Sequence, residues 1–143
     1  MKILNLLILV PILFVSLSAN AQAEGTSEIV LITETLTDYI EGSTNGQPER
    51  LRKAFHPDLN LYYIKNDSLK VWSGQAYIED TKEGQPTGEV GKIISIDYEN
   101  DIATAKVQIT YPGRTPYIDY FMLLKIEGHW TIIHKMFTKQ GIR

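Results

Sequence analysis

Cysteine is absent from the 143-residue sequence, and histidine occurs only three times. The chain therefore has no disulfide, thiol nucleophile or lipid-attachment cysteine, and its folded state depends on packing. His56, His129 and His134 lack the short helical spacing typical of zinc sites, so we expect no metal. The sequence also has no Gly-x-Ser-x-Gly, phosphate-loop or dinucleotide-binding motif, and we expect no cofactor.

Long blocks of like charge are also missing. The chain has 14 basic and 17 acidic residues, dispersed along its length, and a formal net charge of −3. Such a balance disfavours nucleic acid and anionic membrane surfaces as partners. No internal repeat, low-complexity segment or linker divides the sequence, so we expect a single domain.

The longest apolar run, residues 3–17, lies at the amino terminus after a lysine. It is shorter than the roughly 18 to 20 apolar residues that span a bilayer. Small residues follow it, with Ala-x-Ala patterns ending at Ala21 and Ala23, as is typical of a secretory signal peptide cleaved after either alanine. We therefore expect residues 1–21 to be a signal peptide and residues 24–143 to form the mature domain. The protein would be exported, to a periplasm or out of the cell, without a membrane association after cleavage.

The mature chain begins with helical patterns. One helix face is predicted by the spacing of Ile29, Ile32, Leu36, Tyr39 and Ile40. This first helix starts near Ser27 and fails at the segment 42–46. Pro48 suits the first position of a second, shorter helix. Pro57 ends that helix, because proline cannot donate the next backbone hydrogen bond and disfavours helical geometry in His56.

Strand patterns dominate the rest of the chain. The predicted strands cover residues 59–65, 69–72, 92–98, 102–111, 117–127 and 129–139. Ser73 is a suitable N-cap for a third helix after the first two strands. In the run "ATAKVQIT", small and apolar residues alternate with polar ones, so one face of that strand is buried. A sequence in which helices come first and a meander of long strands comes last indicates an α+β fold.

The strand "YIDYFMLLKI" is apolar on both faces, apart from Asp119 and Lys125. A strand of this kind needs a partner on each side of the sheet. One side should meet the helices, and we expect the other to meet a second subunit in a homodimer. The alternative is a central strand covered by the protein's own loops.

The segments "FHPD", "WS", "GKIISID" and "DYFMLLKIEGHWTIIHK" occur in an order that resembles the nuclear transport factor two-like superfamily. The resemblance is to its putative lumazine-binding branch, related to polyketide cyclase-like and ketosteroid isomerase-like proteins, and it covers nearly all of the mature chain. It implies a cone-shaped α+β barrel, with three N-terminal helices packed in the concave face of a strongly curved, mainly antiparallel sheet. Such cones enclose a pocket and are often dimeric through the outer sheet face.

Ketosteroid isomerase uses a tyrosine of the first helix to donate a hydrogen bond to the developing oxyanion, and a carboxylate of the first strand to move the proton. The resemblance places the tyrosine at Tyr39 and the carboxylate position at Tyr63. A phenol is a poor proton acceptor at neutral pH, so that mechanism requires another base. The candidates for this base are His134 and Asp119, followed by His56. We interpret His56 as part of a structural corner.

Asp119 is a carboxylate in an apolar strand, which is unfavourable unless the charge is paired. Arg114 or Tyr117 could pair with it, or Tyr39 together with a ligand could. In a regular strand His134 would point to the same face as Trp130, Ile132 and Met136, which form an apolar layer. It is therefore either a base near neutral pH or a histidine hydrogen-bonded at the sheet's edge or in its dimer face.

Six aromatic residues are candidates to bind a ligand, and we expect about half of them to line a pocket while the others fill the core. They are Tyr39, Phe55, Tyr63, Trp72, Tyr77 and Phe121. We favour a non-catalytic protein that binds a small apolar or aromatic molecule. The alternative is an isomerase, dehydratase or cyclase acting on a carbonyl compound, with Tyr39 as oxyanion donor and His134 or Asp119 as base. A third possibility is a dimeric scaffold without a ligand.

Overall fold

The structure is a computed structural model and describes residues 27–141. The predicted signal peptide lies outside the described residues. The chain forms three helices, α1 (Glu28–Thr44), α2 (Pro48–Ala54) and α3 (Gly74–Asp80). The six strands are β1 (Phe55–Lys65), β2 (Ser68–Ser73), β3 (Val90–Glu99), β4 (Ile102–Thr110), β5 (Tyr117–Ile126) and β6 (His129–Lys139).

All six strands form one sheet in the order β2-β1-β6-β5-β4-β3. Strand β1 pairs with β6 in parallel, and the other neighbours are antiparallel. The sheet is not closed into a barrel: β2 and β3 form its two edges. The predicted fold class, α+β with three helices on a mainly antiparallel sheet, is confirmed.

The core lies between α1 and the inner face of the sheet, which we define as the face that the helices cover. Its fully buried side chains include Ile32, Leu36, Leu61, Val107, Leu123 and Ile132. Burying each such side chain contributes about 1.5 to 3 kcal/mol. With no disulfide in the chain, this layer is the main source of stability, and it fixes the position of α1 against β5 and β6.

Glu28 fastens the first turn of α1 to the β5–β6 hairpin. Its carboxylate accepts hydrogen bonds from Lys125 Nζ at 2.6 Å and from Trp130 Nε1 at 2.7 Å. The bond from Lys125, followed by that from Trp130, lowers the pKa of Glu28. The helix then continues through Gly42, beyond the predicted end. An added Cβ at Gly42 would lie 2.8 Å from Leu51 Cγ, so this glycine permits the close approach of α2.

Asp38 joins the same two helices. Its carboxylate lies 2.9 Å from Arg50 Nε and 2.7 Å from Lys53 Nζ, both on α2. Burial opposes ionisation of Asp38, but the hydrogen bonds from Lys53 and Arg50 outweigh burial and lower its pKa. Through these ion pairs with Asp38, the side chains of Arg50 and Lys53 hold α2 against α1.

Strand β1 starts at Phe55, four residues before the predicted start, and therefore contains Pro57. Its pairing with β6 is interrupted between Phe55 and Asn60. Pro57 lies in this interval, where a missing N–H removes no ladder hydrogen bond. His56 Nδ1 accepts a hydrogen bond from the backbone N–H of Asp58 at 3.2 Å, so the His-Pro-Asp stretch forms a corner at the start of the strand.

A β-bulge at Ile133 changes which side chains of β6 reach the inner face. Leu123 of β5 is opposite Ile132, and the preceding β5 residue is opposite His134, so Ile133 is the extra residue. The alternation shifts by one position at a bulge. The expectation that His134 lies on the same face as Ile132 is therefore wrong. Lys135 takes the inner position instead.

Candidate functional site

A cavity of about 530 Å³ opens between α1, α3 and the inner face of the sheet. This volume lies within the range of roughly 300 to 1,000 Å³ typical of small-molecule sites. Side chains of α1, β2, α3, β4, β5 and β6 form its walls, and the loop 81–89 forms much of its mouth. The principal wall residues are Tyr39, Ser43, Trp72, Tyr77, Ile109, Tyr111, Tyr117, Asp119, Lys135 and Phe137.

Three polar side chains meet at the inner wall of this cavity. Tyr39 donates its hydroxyl hydrogen to Asp119 Oδ2 at 2.6 Å, and Lys135 Nζ donates to the Tyr39 hydroxyl at 2.6 Å. Lys135 Nζ also lies 3.0 Å from Asp119 Oδ2. All three residues are at most 5% exposed. We call this group the Tyr-Asp-Lys cluster; it combines one negative charge, one positive charge and a phenol.

Tyr39 is a hydrogen-bond donor in this cluster rather than a base. Burial, followed by the negative charge of Asp119, raises the pKa of Tyr39 well above its ordinary value. The phenol therefore keeps its proton. Asp119 is the proton acceptor, and Lys135 is the cation that balances it.

Four aromatic rings surround the ammonium group of Lys135. The distances from Nζ to the ring centroids are 4.7 Å for Tyr39, 5.3 Å for Tyr77, 5.2 Å for Phe137 and 5.8 Å for Phe121. Each ring presents electron density to the cation, so the rings and Asp119 together stabilise a charge that burial alone would disfavour. The inner wall of the cavity thus combines the buried ion pair of Lys135 and Asp119 with aromatic rings.

The cavity also carries polar groups nearer its mouth. Ser43 Oγ and the Tyr77 hydroxyl are 2.6 Å apart. Tyr111 has a raised pKa, because it is partly buried and then because it hydrogen-bonds to Glu89. A ligand that reaches the Tyr-Asp-Lys cluster therefore meets hydroxyl groups along its length as well as apolar rings.

The loop 81–89 at the mouth is held by backbone hydrogen bonds to the α1–α2 turn. Gly84 N–H donates to Gly46 O at 2.8 Å, and Thr87 N–H donates to Thr44 O at 2.8 Å. Gly46 has a φ of +65°, and an added Cβ there would collide with the carbonyl of Lys82 and come within 2.8 Å of Gln85 N. Glycine at this position is required both by the turn and by the close approach of the loop.

Of the six aromatic candidates, Tyr39, Trp72 and Tyr77 line the cavity. Phe55 and Phe121 are buried behind Tyr39, with ring centroids 5.9 Å and 4.9 Å from its ring. They hold Tyr39 in place from the core side.

Tyr63, at the position where ketosteroid isomerase has its carboxylate, stacks on Phe137 with a centroid distance of 4.8 Å. It supports a wall residue and does not itself line the cavity. The structure thus puts an aromatic contact where the isomerase mechanism needs a base, and the carboxylate of the site comes from Asp119 on β5.

His134 and Asp119 do not converge. His134 lies on the outer face of the sheet, with its ring 4.7 Å from that of Tyr62, whereas Asp119 is inside. Of the two proposed bases, only Asp119 reaches the cavity. It is paired with Tyr39 and Lys135, not with Arg114 or Tyr117.

Lys135 is the site residue that sequence reasoning missed. Simple alternation along β6 puts it on the wet face, and no glycine or proline marks the bulge. The sequence offered only a general signal, the need of Asp119 for a cation; the pairing of Asp119 with Phe137, which makes Lys135 its diagonal neighbour on β6, follows from the bulge itself. A buried carboxylate needs a cation, and this lysine is within its reach.

The outer face of the sheet carries exposed apolar side chains, which we call the outer patch. It consists of Ile64, Leu69, Val71, Tyr120, Met122 and Met136, each between 47% and 66% exposed. Cross-strand pairing brings Tyr120 opposite Met136, and Ile64 opposite Leu69. Large contiguous apolar patches on a protein surface mark interaction sites more often than chance.

Within residues 27–141, no group of three or more His, Cys, Asp or Glu side chains could hold a metal ion. The helices of this same part of the chain are all too short or too polar to cross a membrane.

Comparison with known proteins agrees with this architecture. The sequence profile of the family described as putative lumazine-binding matches residues 27–138. Aldolase FrzH of Cladobotryum sp is 26% identical over 115 residues, which are 78% of this chain and 91% of the aldolase.

Solved structures give the same fold. An NTF2-like protein of unknown function from Methylobacillus flagellatus has 27% identity and a TM-score of 0.70, covering 82% of this chain and 95% of its own. A putative scytalone dehydratase from Novosphingobium aromaticivorans has 20% identity and a TM-score of 0.55, covering 81% and 89%. The chain thus belongs to the putative lumazine-binding family, and it has the small-molecule-binding cone fold of the NTF2-like superfamily.

Proposed function

We propose that the protein binds a small, largely apolar molecule that carries a carbonyl or hydroxyl oxygen. The observation that carries this proposal is the Tyr-Asp-Lys cluster at the inner wall of an aromatic cavity of about 530 Å³. The aromatic side chains receive a flat or aliphatic body, and the polar cluster orients the oxygen.

Lys135 supplies the contact to that oxygen. An ammonium group has three N–H donors. Among the described residues, Lys135 Nζ contacts two partners, the Tyr39 hydroxyl and the Asp119 carboxylate. The remaining donor serves a ligand oxygen, and hydrogen bonds that involve a charged donor are about twice as strong as neutral ones.

The first experiment identifies what the protein carries. The purified protein is denatured, and the released small molecules are identified by mass spectrometry. In parallel, the melting temperature is measured with pairs of molecules that differ only in the oxygen, such as naphthalene and 2-naphthylmethanol. We expect the oxygenated member of each pair to raise the melting temperature more.

A matched pair of variants tests the role of Lys135. Lys135→Met should remove the preference for the oxygenated molecule. Lys106→Met should keep it, because Lys106 lies on the outer face, above the ring of Tyr120. An absence of any bound molecule, together with no shift for any member of the series, would contradict the proposal.

A second candidate function is catalysis on a carbonyl compound, as an isomerase, dehydratase or cyclase. It is favoured by Asp119, a carboxylate inside the cavity that could remove a proton beside a carbonyl group. Tyr39 and Lys135 would then stabilise the oxyanion that forms. The similarity to an aldolase, which also acts on carbonyl compounds, supports this class of chemistry.

Exchange of α-protons tests the second candidate without knowledge of the natural substrate. Cyclic and aromatic ketones are incubated with the protein in D₂O, and loss of the α-proton signal is followed by NMR. Catalysis predicts exchange that is lost in Asp119→Asn and kept in His134→Gln, since His134 lies on the outer face. Equal exchange with and without protein would leave binding as the function.

We also propose that the outer patch is covered by a second copy of the chain. An exposed apolar patch on the open face of a sheet can be covered by the same patch of a second copy in a two-fold dimer. Light scattering after gel filtration should give the mass of a dimer for the wild type and of a monomer for Met122→Glu. A monomeric wild type would contradict this proposal, and with it the scaffold alternative.

Export is the remaining proposal, and it depends on the apolar segment and the Ala-x-Ala patterns of residues 1–23. Amino-terminal sequencing of the protein recovered from outside the cytoplasm should start at Gln22 or Glu24. Recovery of the intact chain in the cytoplasm would contradict it.

A further inference from the structure

Lys135 is the only lysine within residues 27–141 that is buried, and it is also part of the cavity wall. A lysine need not be buried to pair with a buried carboxylate, since the exposed Lys53 pairs with the buried Asp38. A desolvated lysine that faces a ligand cavity, beside a group able to take its proton, has the arrangement of a lysine nucleophile.

We propose that Lys135 forms a reversible imine with an aldehyde or ketone that enters the cavity. The inference deepens the proposed function, because the carbonyl compound must first bind there. The ligand class is an aromatic or aliphatic carbonyl compound whose apolar part fits a volume of about 530 Å³.

The residues of the cluster can carry each step. Asp119, 3.0 Å from Lys135 Nζ, takes one proton from the ammonium group. The free amine then attacks the carbonyl carbon, which forms the C–N bond of a carbinolamine. The carbinolamine oxygen receives two of the ammonium protons, one of them returned by Asp119, and leaves as water when the C–O bond breaks. Ammonium and aldehyde thus give a protonated imine and water, and no oxidant or reductant takes part.

The surroundings of Lys135 suit the product as well as the starting lysine. A protonated imine has the same single positive charge at the same nitrogen. The Asp119 carboxylate and the rings of Tyr39, Tyr77 and Phe137, all within 5.3 Å of Nζ, therefore continue to stabilise it. Once Asp119 has taken a proton from Nζ, the Tyr39 hydroxyl, 2.6 Å from Nζ, can turn its single hydrogen from Asp119 to the departing oxygen.

Reductive trapping tests the proposal with a defined probe. The full chain is incubated with 2-naphthaldehyde, reduced with borohydride, and analysed by intact mass and peptide mapping. We expect one naphthylmethyl group per chain, located on Lys135. Lys135→Arg keeps a cation in the cluster but cannot form an imine, so it should lose the adduct. Lys106→Arg, a matched change on the outer face, should retain it.

A second measurement separates this inference from the proposed function. Binding of 2-naphthylmethanol, which cannot form an imine, is followed by the shift in melting temperature. Binding of the alcohol without an adduct on Lys135 would overturn the imine and leave the proposed function standing. Failure of both the alcohol and the aldehyde to bind would overturn both. Modification spread over exposed lysines, unchanged in Lys135→Arg, would also overturn the imine. Circular dichroism confirms that each variant is folded before it is scored.

Discussion

Replacing Lys135 with methionine leaves the buried Asp119 carboxylate without a cation. In the intact protein the two side chains are 6% and 2% exposed, and their charged atoms lie 3.0 Å apart. Removing one partner from such a pair destabilises a protein by about 3 to 5 kcal/mol, because the other charge stays out of water. The free energy of unfolding of a domain is typically about 5 to 15 kcal/mol, so we expect a loss of roughly a fifth or more of it.

Urea unfolding, followed by the fluorescence of the buried Trp130, measures this loss. A domain of this size changes its melting temperature by roughly 4 °C per kcal/mol, so Lys135→Met should also melt about 12 to 20 °C lower. Lys106→Met is the control. Its side chain is on the outer face and half-buried, and we expect a change within about 0.5 kcal/mol.

A double variant distinguishes the cost of leaving the Asp119 charge buried and unpaired from the cost of lost packing around residue 135. Lys135→Met combined with Asp119→Leu removes both charges and keeps the volume, so most of the stability should return. A deficit of about 1 to 3 kcal/mol should remain, because the Tyr39 hydroxyl then has neither partner. The reasoning is refuted if Lys135→Met is as stable as Lys106→Met, or if the double variant is less stable than the single one.

Two further predictions concern the contact of Glu28 on α1 with the β5–β6 hairpin, and the loop at the mouth of the cavity. The lowered pKa of Glu28 means that its bond to Lys125 contributes stability above the ordinary pKa of 4.5, and that this contribution is lost as the pH falls through the lowered, folded-state pKa. Glu28→Gln should therefore melt lower than the wild type at neutral pH and lose less on acidification; parallel pH profiles of melting temperature would disprove this. Gly46→Ala should cost more than Gly84→Ala in urea unfolding and should weaken ligand binding, because both have positive φ but only the Cβ at Gly46 meets the Lys82 carbonyl. Equal losses in the two glycine variants would show that the loop can move aside.

Most of the fold could be predicted from the sequence, because local chemistry determines it. The helix-start signals near Ser27 and at Pro48, and the Ser73 cap, correspond to helices that begin at Glu28, Pro48 and Gly74. The Ser73 hydroxyl accepts a hydrogen bond from Ala76 N–H at 3.2 Å, as expected of an N-cap. Positions that depend on a distant partner were predicted less well: α1 continues through Gly42 because Leu51 packs there.

The site was predicted in part. Tyr39 was identified through the resemblance to ketosteroid isomerase, and Asp119 because a carboxylate in an otherwise apolar strand needs a partner. The third member, Lys135, was missed, and His134 was placed on the wrong face, for one reason. Ile133 is an extra residue only in the pairing of β6 with β5, where it has no opposite residue. Nothing in the local sequence of β6 distinguishes this bulge from regular alternation.

Strand β6, the last of the six strands within residues 27–141, occupies the middle of the sheet, between β1 and β5. Within the sheet, therefore, β1 and β2 have no strand pairing that links them to β3, β4 and β5 until residues 129–139 arrive between them. Contacts between segments this far apart in sequence make folding slow. A nascent chain of this topology stays open until β6 has been synthesised, and that same strand carries Lys135, the lysine that completes the pocket.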